Sequence, residues 1–254
     1  MQQQPTMDNT IVFEQLWGIT NEIRQKIDAH FELHPDPTTQ DLQEFSSPDS
    51  LVNGSLSTLC GREIDWLVHS RLKKSTFGTM RLTTWLSSHI QVPHLAFEFG
   101  TIPNIFFYMD YIPRTNLLMD LDYLERYYQP VNPTFLRLQA DTRLSLFTSK
   151  STYIRLFQSP ISLCYTCSAT EEMLELVRTT AQEMLDRWLI WVDEAEPLPE
   201  EARKILAEQD LFLRRSSSER DPGNAMAAQM FGTELTNKLI RALWGGDRTI
   251  TSQS

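Results

Sequence analysis

A glutamate between two phenylalanines, Glu98 in VPHLAFEFGT (92–101), is the first residue whose setting suggests chemistry. Alternation along a strand puts His94, Ala96 and Glu98 on one face and Leu95, Phe97 and Phe99 on the other. If the first face meets water, Glu98 is a solvated acid. If helices or a ligand cover both faces, the carboxyl is desolvated and can keep a proton near neutral pH. A following strand carries Tyr108 and Asp110, again on one face, and an earlier one carries Asp65 and His69 with the same spacing of side. Each of these is either a hydrogen-bonded structural group or half of an acid–base pair, and Asp65 and His69 also read as facing solvent.

Arg71, Lys73, Lys74 and Arg81 cluster around an expected hairpin. They form either a solvated turn or a docking patch for an acidic partner. Arg214 and Arg215 make a second, smaller basic site. The three cysteines are Cys60, Cys164 and Cys167. On a strand Cys164 and Cys167 face opposite sides, so packed thiols are favoured over a redox or metal pair. Their number suits a reducing compartment better than a disulfide framework.

Other chemistries lack their motifs. The nine glycines form neither G-x-G-x-x-G nor a phosphate-binding loop, which argues against a self-contained nicotinamide dehydrogenase or nucleotide hydrolase. There is no G-x-S-x-G and no H-E-x-x-H. Three cysteines fall short of the four ligands of an ordinary iron–sulfur cluster. A net charge of −10 opposes general nucleic-acid binding.

The elements that must position these residues follow from periodicity. At 254 residues, 41% hydrophobic and 22% charged, the chain suits one large domain with a real core. No apolar run approaches the ~18 residues of a membrane span, and MQQQPTMDNT has neither signal-peptide nor transit-peptide character. Leu16, Ile19, Ile23 and Ile27 predict a helix over 8–31. Pro-, Ser-, Asp- and Thr-rich residues 34–59 read as a long loop. EIDWLVHSRL, TMRLTTWLSS, HLAFEFG, NIFFYMDYI, TYIRLFQS and SLCYTCS read as about six strands, neighbours being antiparallel where the gaps are short. Helices are expected over 120–129, 133–147, 169–194 (with Ser168 and Glu171 at capping-box spacing), 199–213 and 225–244. Residues 214–224 read as a polar loop, Gly245-Gly246 as a helix cap, and 247–254 as a flexible tail. The expected fold is a single α/β domain, an antiparallel sheet flanked by helices.

Five blocks, IDWLVHS, HLAFEF, YIPRTNLLMDLDYLERYYQ, YIRLFQSPISL and FLRRSSSERD…MFGTEL, occur in an order that resembles red chlorophyll catabolite reductase. That family belongs to the wider ferredoxin-dependent bilin reductase superfamily. The likeness runs from about Gly61 to Leu243, and Pro113-Arg114 to Tyr127-Tyr128 and Met230-Phe231-Gly232 are its most specific parts. The resemblance implies an α/β/α sandwich with an open substrate pocket between the sheet and one helical layer. It implies reduction of an open-chain tetrapyrrole, red chlorophyll catabolite, to a primary fluorescent catabolite. Electrons would come from reduced ferredoxin, with no flavin, metal or nicotinamide on the enzyme.

By the same resemblance Glu98 and Asp221 become the pocket acids, placed to donate protons or to position the donors. Tyr108, Phe157, Gln158 and Ser159 are expected to border the substrate, and Arg155 or Arg214 to pair with a propionate. Gln158 stands where the family carries an apolar residue, so substrate fit or product stereochemistry is expected to differ. Ferredoxins are acidic, and Arg71, Lys73 and Lys74 are the expected docking patch on this acidic chain. The family implies a chloroplast-stroma location in a plant or alga, cytoplasm in a cyanobacterium, and allows a homodimer and a chlorophyll-degrading complex. Reduction of biliverdin or a related phytobilin precursor, and a non-catalytic tetrapyrrole carrier, are the competing functions.

Overall fold

The structure, a computed structural model, describes residues 7–102 and 104–248. The chain opens with helix α1 (Asn9–His30), capped by Asp8, whose carboxylate accepts from Thr10 N at 2.8 Å. Strands β1 (Leu33–Pro35) and β2 (Phe45–Ser46) flank a short 3-10 helix over Pro37–Leu42. Four long strands follow: β3 (Asn53–Gly61), β4 (Ile64–Lys73), β5 (Gly78–Leu86) and β6 (His94–Ile102). Strand β7 (Asn104–Ile112) leads into helices α2 (Leu121–Tyr127) and α3 (Asn132–Gln139), then β8 (Leu144–Leu146), α4 (Thr152–Phe157) and β9 (Leu163–Cys167). Helices α5 (Glu171–Asp193), α6 (Glu200–Glu219) and α7 (Gly223–Trp244) close the chain.

The nine strands form one sheet in the order β1-β3-β4-β5-β6-β7-β9-β8, with β2 on β3, and every pairing is antiparallel. Strand alternation sorts the two faces. Leu95, Phe97 and Phe99 enter a large core with α1 and α5, where Leu16, Ile19, Ile23 and Ile27 of α1 are all fully buried. Trp66, Val68, Trp85 and Ala96 face the other way, towards Leu213 of α6 and Leu235, Leu239, Ala242 and Leu243 of α7. The expected sandwich is present, and its second cluster is much the smaller.

Several local expectations are corrected. Residues 34–59 are ordered into β1, β2, the 3-10 helix and most of β3, because their polar side chains make caps and ties. Asp36 accepts from Thr38 N at 2.9 Å, and the Thr39 and Thr58 hydroxyls meet at 2.6 Å. TYIRLFQS is helix α4, not a strand, and the adjacent edge of β9 is taken by β8 instead. A short apolar run does not distinguish the two states. The expected helix 133–147 stops at Gln139, where Asp141 accepts from Arg143 N at 3.0 Å in a turn that leads into β8. Thr170 rather than Ser168 caps α5.

Helix α6 continues through the expected 214–224 loop as far as Glu219. Ser217 and Ser218 stay helical by donating their hydroxyls to the Arg214 carbonyl at 2.9 and 3.0 Å. In the expected tail, Asp247 and Arg248 pair with Arg241 and Asp65. The remainder, 249–254, lies outside the described residues. Helix α7 bends at Gly232, whose φ of 79° and ψ of 164° fit only glycine comfortably. The bend seats Phe231 edge-on against Phe45, ring centres 5.4 Å apart.

Asp65 and His69 do not share a face. The β4–β5 register slips between Ile64 and Trp66, a bulge that turns Asp65 towards α6. There it pairs with Arg214 at 2.8 Å. His69 lies on the opposite face, stacked on Trp17 of α1 with ring centres 4.4 Å apart.

Candidate functional site

Sheet register builds the site as a row. Arg81 of β5 stands opposite Glu98 of β6, Glu98 opposite Tyr108 of β7, and Tyr108 opposite Cys164 of β9. Direct cross-strand neighbours share a face, here the one towards α6 and α7. Asp221 joins from the α6–α7 turn, where its Oδ1 accepts from Gly223 N at 2.8 Å. Arg81 Nη2 lies 3.1 Å from Glu98 Oε2 and 3.5 Å from Asp221 Oδ2. One guanidinium therefore bridges two acids that are 123 residues apart (221 − 98) in the chain.

Glu98 is not the sequestered acid of the sharper expectation. Its side chain is 33% exposed, Asp221 28% and Arg81 27%. The Glu98 carboxylate, and after it Asp221, raises Arg81 further above its ordinary range, against burial, and fixes it as a cation. The three groups sit where two cavities meet. One, about 330 Å³, is bounded by Trp85, Tyr108, Phe147, Phe157, Gln158 and Cys164. The other, about 380 Å³, runs along α7 past Met226, Met230 and Phe231. Both fall in the ~300–1,000 Å³ range of ligand sites, mostly apolar with a few convergent polar groups.

The desolvated acid is Asp110. It is fully buried, and burial pushes its carboxyl up to about 6 despite hydrogen bonds that favour the charged form. Those bonds come from Ser159 Oγ (2.5 Å), Ser159 N (2.9 Å) and Tyr108 OH (2.9 Å). Ser159 thus anchors the segment after α4 and does not line the first cavity, whereas Phe157 and Gln158 do. Cys164 also borders that cavity while Cys167 enters the opposite core, and burial raises both thiols to about 12.

The two expected propionate partners point elsewhere. Arg155 is exposed on α4 and donates to the Ser149 carbonyl at 2.7 Å. Arg214 is buried, paired with Asp65, and its guanidinium carbon lies 5.9 Å from the Trp66 ring centre. Arg81, grouped by sequence with the hairpin cations, is the arginine that reaches both cavities. Its alternation on β5 was readable, but the opposite partner required the register.

The docking patch is also altered. Lys73 pairs with Glu14 of α1 at 2.5 Å, and Arg71 lies over Trp17, 4.9 Å from the ring centre. These two fasten α1 to the sheet. Neither Arg71 nor Lys74 has an ion pair within 4 Å among the described residues, and Lys74 also lacks an aromatic partner of the kind Arg71 has in Trp17.

Arg114, next to Pro113 at the end of β7, is a structural clamp. It donates to the carbonyls of Ile90 (2.7 Å) and Ser87 (3.2 Å) and pairs with Asp210 of α6 at 2.5 Å. Asp210 also meets His94 Nε2 at 3.0 Å, and burial lowers that imidazole to about 4 in spite of Asp210. The network ties α6 to the sheet beside the site.

The sequence model of red chlorophyll catabolite reductase (RCC reductase) matches residues 17–244. The chain belongs to this family. Among curated members it is 27% identical over 230 residues to red chlorophyll catabolite reductase 1, chloroplastic, of Oryza sativa subsp. japonica, covering 82% of this chain and 70% of the relative. The Arabidopsis thaliana chloroplastic enzyme is 27% identical over 237 residues, covering 84% and 73%. The Hordeum vulgare enzyme is 26% identical over 194 residues, covering 70% and 94%. The family fold is shared with tomato phytochromobilin synthase, solved in complex with biliverdin, at a TM-score of 0.79 and 18% identity, over 90% of this chain and 82% of that one.

Among the described residues no helix is long and apolar enough to cross a membrane, and no three His, Cys, Asp or Glu side chains gather as metal ligands.

Proposed function

We propose that the protein reduces an open-chain tetrapyrrole, red chlorophyll catabolite, to a primary fluorescent catabolite with electrons from reduced ferredoxin. Family membership over residues 17–244 carries the reading. The site agrees in kind: two adjoining apolar cavities meet at two carboxylates held by one arginine.

Ferredoxin supplies one electron at a time, so a two-electron reduction needs a proton matched to each. The apolar walls hold the conjugated pigment and exclude water. Glu98 and Asp221 lie where they can give protons to it or orient the groups that do, and Arg81 fixes both. Arg81 also supplies the cationic contact for an acidic substituent of the pigment, in place of Arg155 or Arg214. Gln158 adds a polar group to the first cavity wall. Lys74 is the member of the expected docking patch left to meet an acidic ferredoxin. A plastid location, in the stroma where ferredoxin is reduced, fits relatives named chloroplastic.

An anaerobic assay with a ferredoxin-regenerating system and a panel of open-chain tetrapyrroles tests the reading. Red chlorophyll catabolite should be consumed with loss of its visible absorbance. Glu98→Gln and Asp221→Asn should still bind the pigment but turn over ~10²–10⁴-fold more slowly, the usual contribution of general acid catalysis. Full rates in both variants would remove these acids from the chemistry. Reduction of biliverdin instead would favour a bilin reductase, as the shared fold with tomato phytochromobilin synthase allows. Binding with no electron consumption would leave a carrier.

A further inference from the structure

The buried pair behind the cavity wall has no role in the chemistry above. Tyr108 borders the first cavity, in the same cross-strand row as Glu98, and its hydroxyl meets Asp110 Oδ2 at 2.9 Å. Asp110 lies two residues further along β7, fully buried, and reaches the cavity only through that hydroxyl. No Lys, Arg or His pairs with this buried carboxylate among the described residues, and no cluster of three His, Cys, Asp or Glu side chains includes it. Its partners are the neutral donors of Tyr108 and Ser159. The ionisable groups that act with it are Tyr108 and Tyr111 of β7, Cys164 of β9 and Tyr128 after α2, none of them a cation, and Glu98 of β6 faces Tyr108 from the far side of the row.

We propose that the Tyr108 hydroxyl is a second proton donor to the bound tetrapyrrole, and that Asp110 restores its proton. The inference rests on the reductase reading and adds a route separate from Glu98 and Asp221. In the structure the phenol donates to the Asp110 carboxylate; when Asp110 takes up a proton, that hydrogen bond reverses and the phenol is free to aim its O–H into the cavity. When the pigment has gained an electron, the Tyr108 proton forms the new bond to the pigment. In the same step the Asp110 proton passes to Tyr108 Oη, leaving Asp110 as carboxylate. The tyrosine ends unchanged, and the acid has lost one proton. Once product leaves and water enters the cavity, the same two hydrogen bonds carry a proton back.

The energetics favour a relay over an independent tyrosine acid. Burial and the adjacent Asp110 hold the phenol well above its ordinary range, so it does not ionise alone. Asp110, at about 6, is much the better source. Proton delivery therefore requires both groups, and removing either should disable the same route.

The test compares wild type, Tyr108→Phe, Asp110→Asn and the double variant in anaerobic ferredoxin-supported turnover of red chlorophyll catabolite. Absorbance titration gives the pigment Kd, and rates in H₂O and D₂O give the solvent isotope effect. Tyr108→Phe keeps the ring that lines the cavity, so Kd should stay within about threefold while kcat falls ~10²-fold. Asp110→Asn should fall comparably, and the double variant no further, because the two groups act as one unit. If Asp110→Asn does not fold, Tyr108→Phe with its isotope effect still decides. A wild-type kcat and isotope effect in Tyr108→Phe would overturn the proposal. So would a loss confined to Kd, or losses that multiply in the double variant. If wild type reduces no tetrapyrrole in the panel, the reductase reading itself fails and the relay falls with it.

Discussion

Arg81 offers the most direct test of how the site is held together. Its guanidinium touches Glu98 at 3.1 Å and Asp221 at 3.5 Å, and no other cation lies within 4 Å of either acid among the described residues. A unit pair ~4 Å apart is worth ~1 kcal/mol in water and ~4 kcal/mol at an effective dielectric of ~20. All three side chains are between a quarter and a third exposed, so solvent screening pulls each contact towards the lower figure, ~1 kcal/mol. Arg81→Met keeps the apolar stem but leaves two carboxylates facing each other. The expected loss is ~2–3 kcal/mol, a fall in Tm of roughly 4–12 °C for a chain of this size. The assay is a double-mutant cycle of Arg81→Met with Glu98→Gln and, separately, with Asp221→Asn, read by denaturant unfolding and thermal melts. Each cycle should return ~1 kcal/mol of coupling, shrinking as salt is raised. Turnover of Arg81→Met should fall tenfold or more while Arg81→Lys recovers part of it. Coupling below ~0.3 kcal/mol in both cycles, with wild-type turnover, would show that the bridge seen here organises nothing.

Three further outcomes follow from the structure. Arg114→Met strands Asp210 and several carbonyls in the interior, and should cost ~3–5 kcal/mol in denaturant unfolding; a loss under ~1 kcal/mol would mean the clamp is dispensable. Burial lowers His69 to about 3, while the unfolded chain takes up that proton near 6.5, so stability is full above pH ~6.5 and declines as pH falls towards 3. At pH 5 this amounts to ~2 kcal/mol, and His69→Phe should show a correspondingly shallower acid decline, parallel curves being the contrary result. Lys74→Glu should raise KM for ferredoxin and weaken the salt dependence of turnover without altering pigment Kd; an unchanged salt profile would place docking elsewhere.

Strand alternation made Glu98, Tyr108 and Asp110 legible as residues of interest, and they do face α6 and α7. The helices over α1, α5 and α7 were also readable, because an apolar stripe repeated for five or six turns admits no other local structure. Short elements were not. TYIRLF has strand composition yet forms α4, and three serines in RRSSSER suggest a loop where α6 continues. In both cases tertiary placement decides between states of similar local cost. Arg214 shows the same limit for charge: sequence reveals a cation, and only the β4 bulge reveals the Asp65 that consumes it.

Local sequence therefore determined which side chains share a strand face and which helices bury a stripe, since both depend on backbone periods of 2.0 and 3.6 residues. It also determined the family, whose sequence model matches residues 17–244. The tertiary structure decided that Arg81 rather than Arg214 lines the two cavities, that Glu98 is ion-paired, and that Asp110 is the desolvated acid. Charge state and solvent access depend on which groups lie within a few ångströms. In an antiparallel sheet those neighbours are set by register between strands, which no single strand encodes.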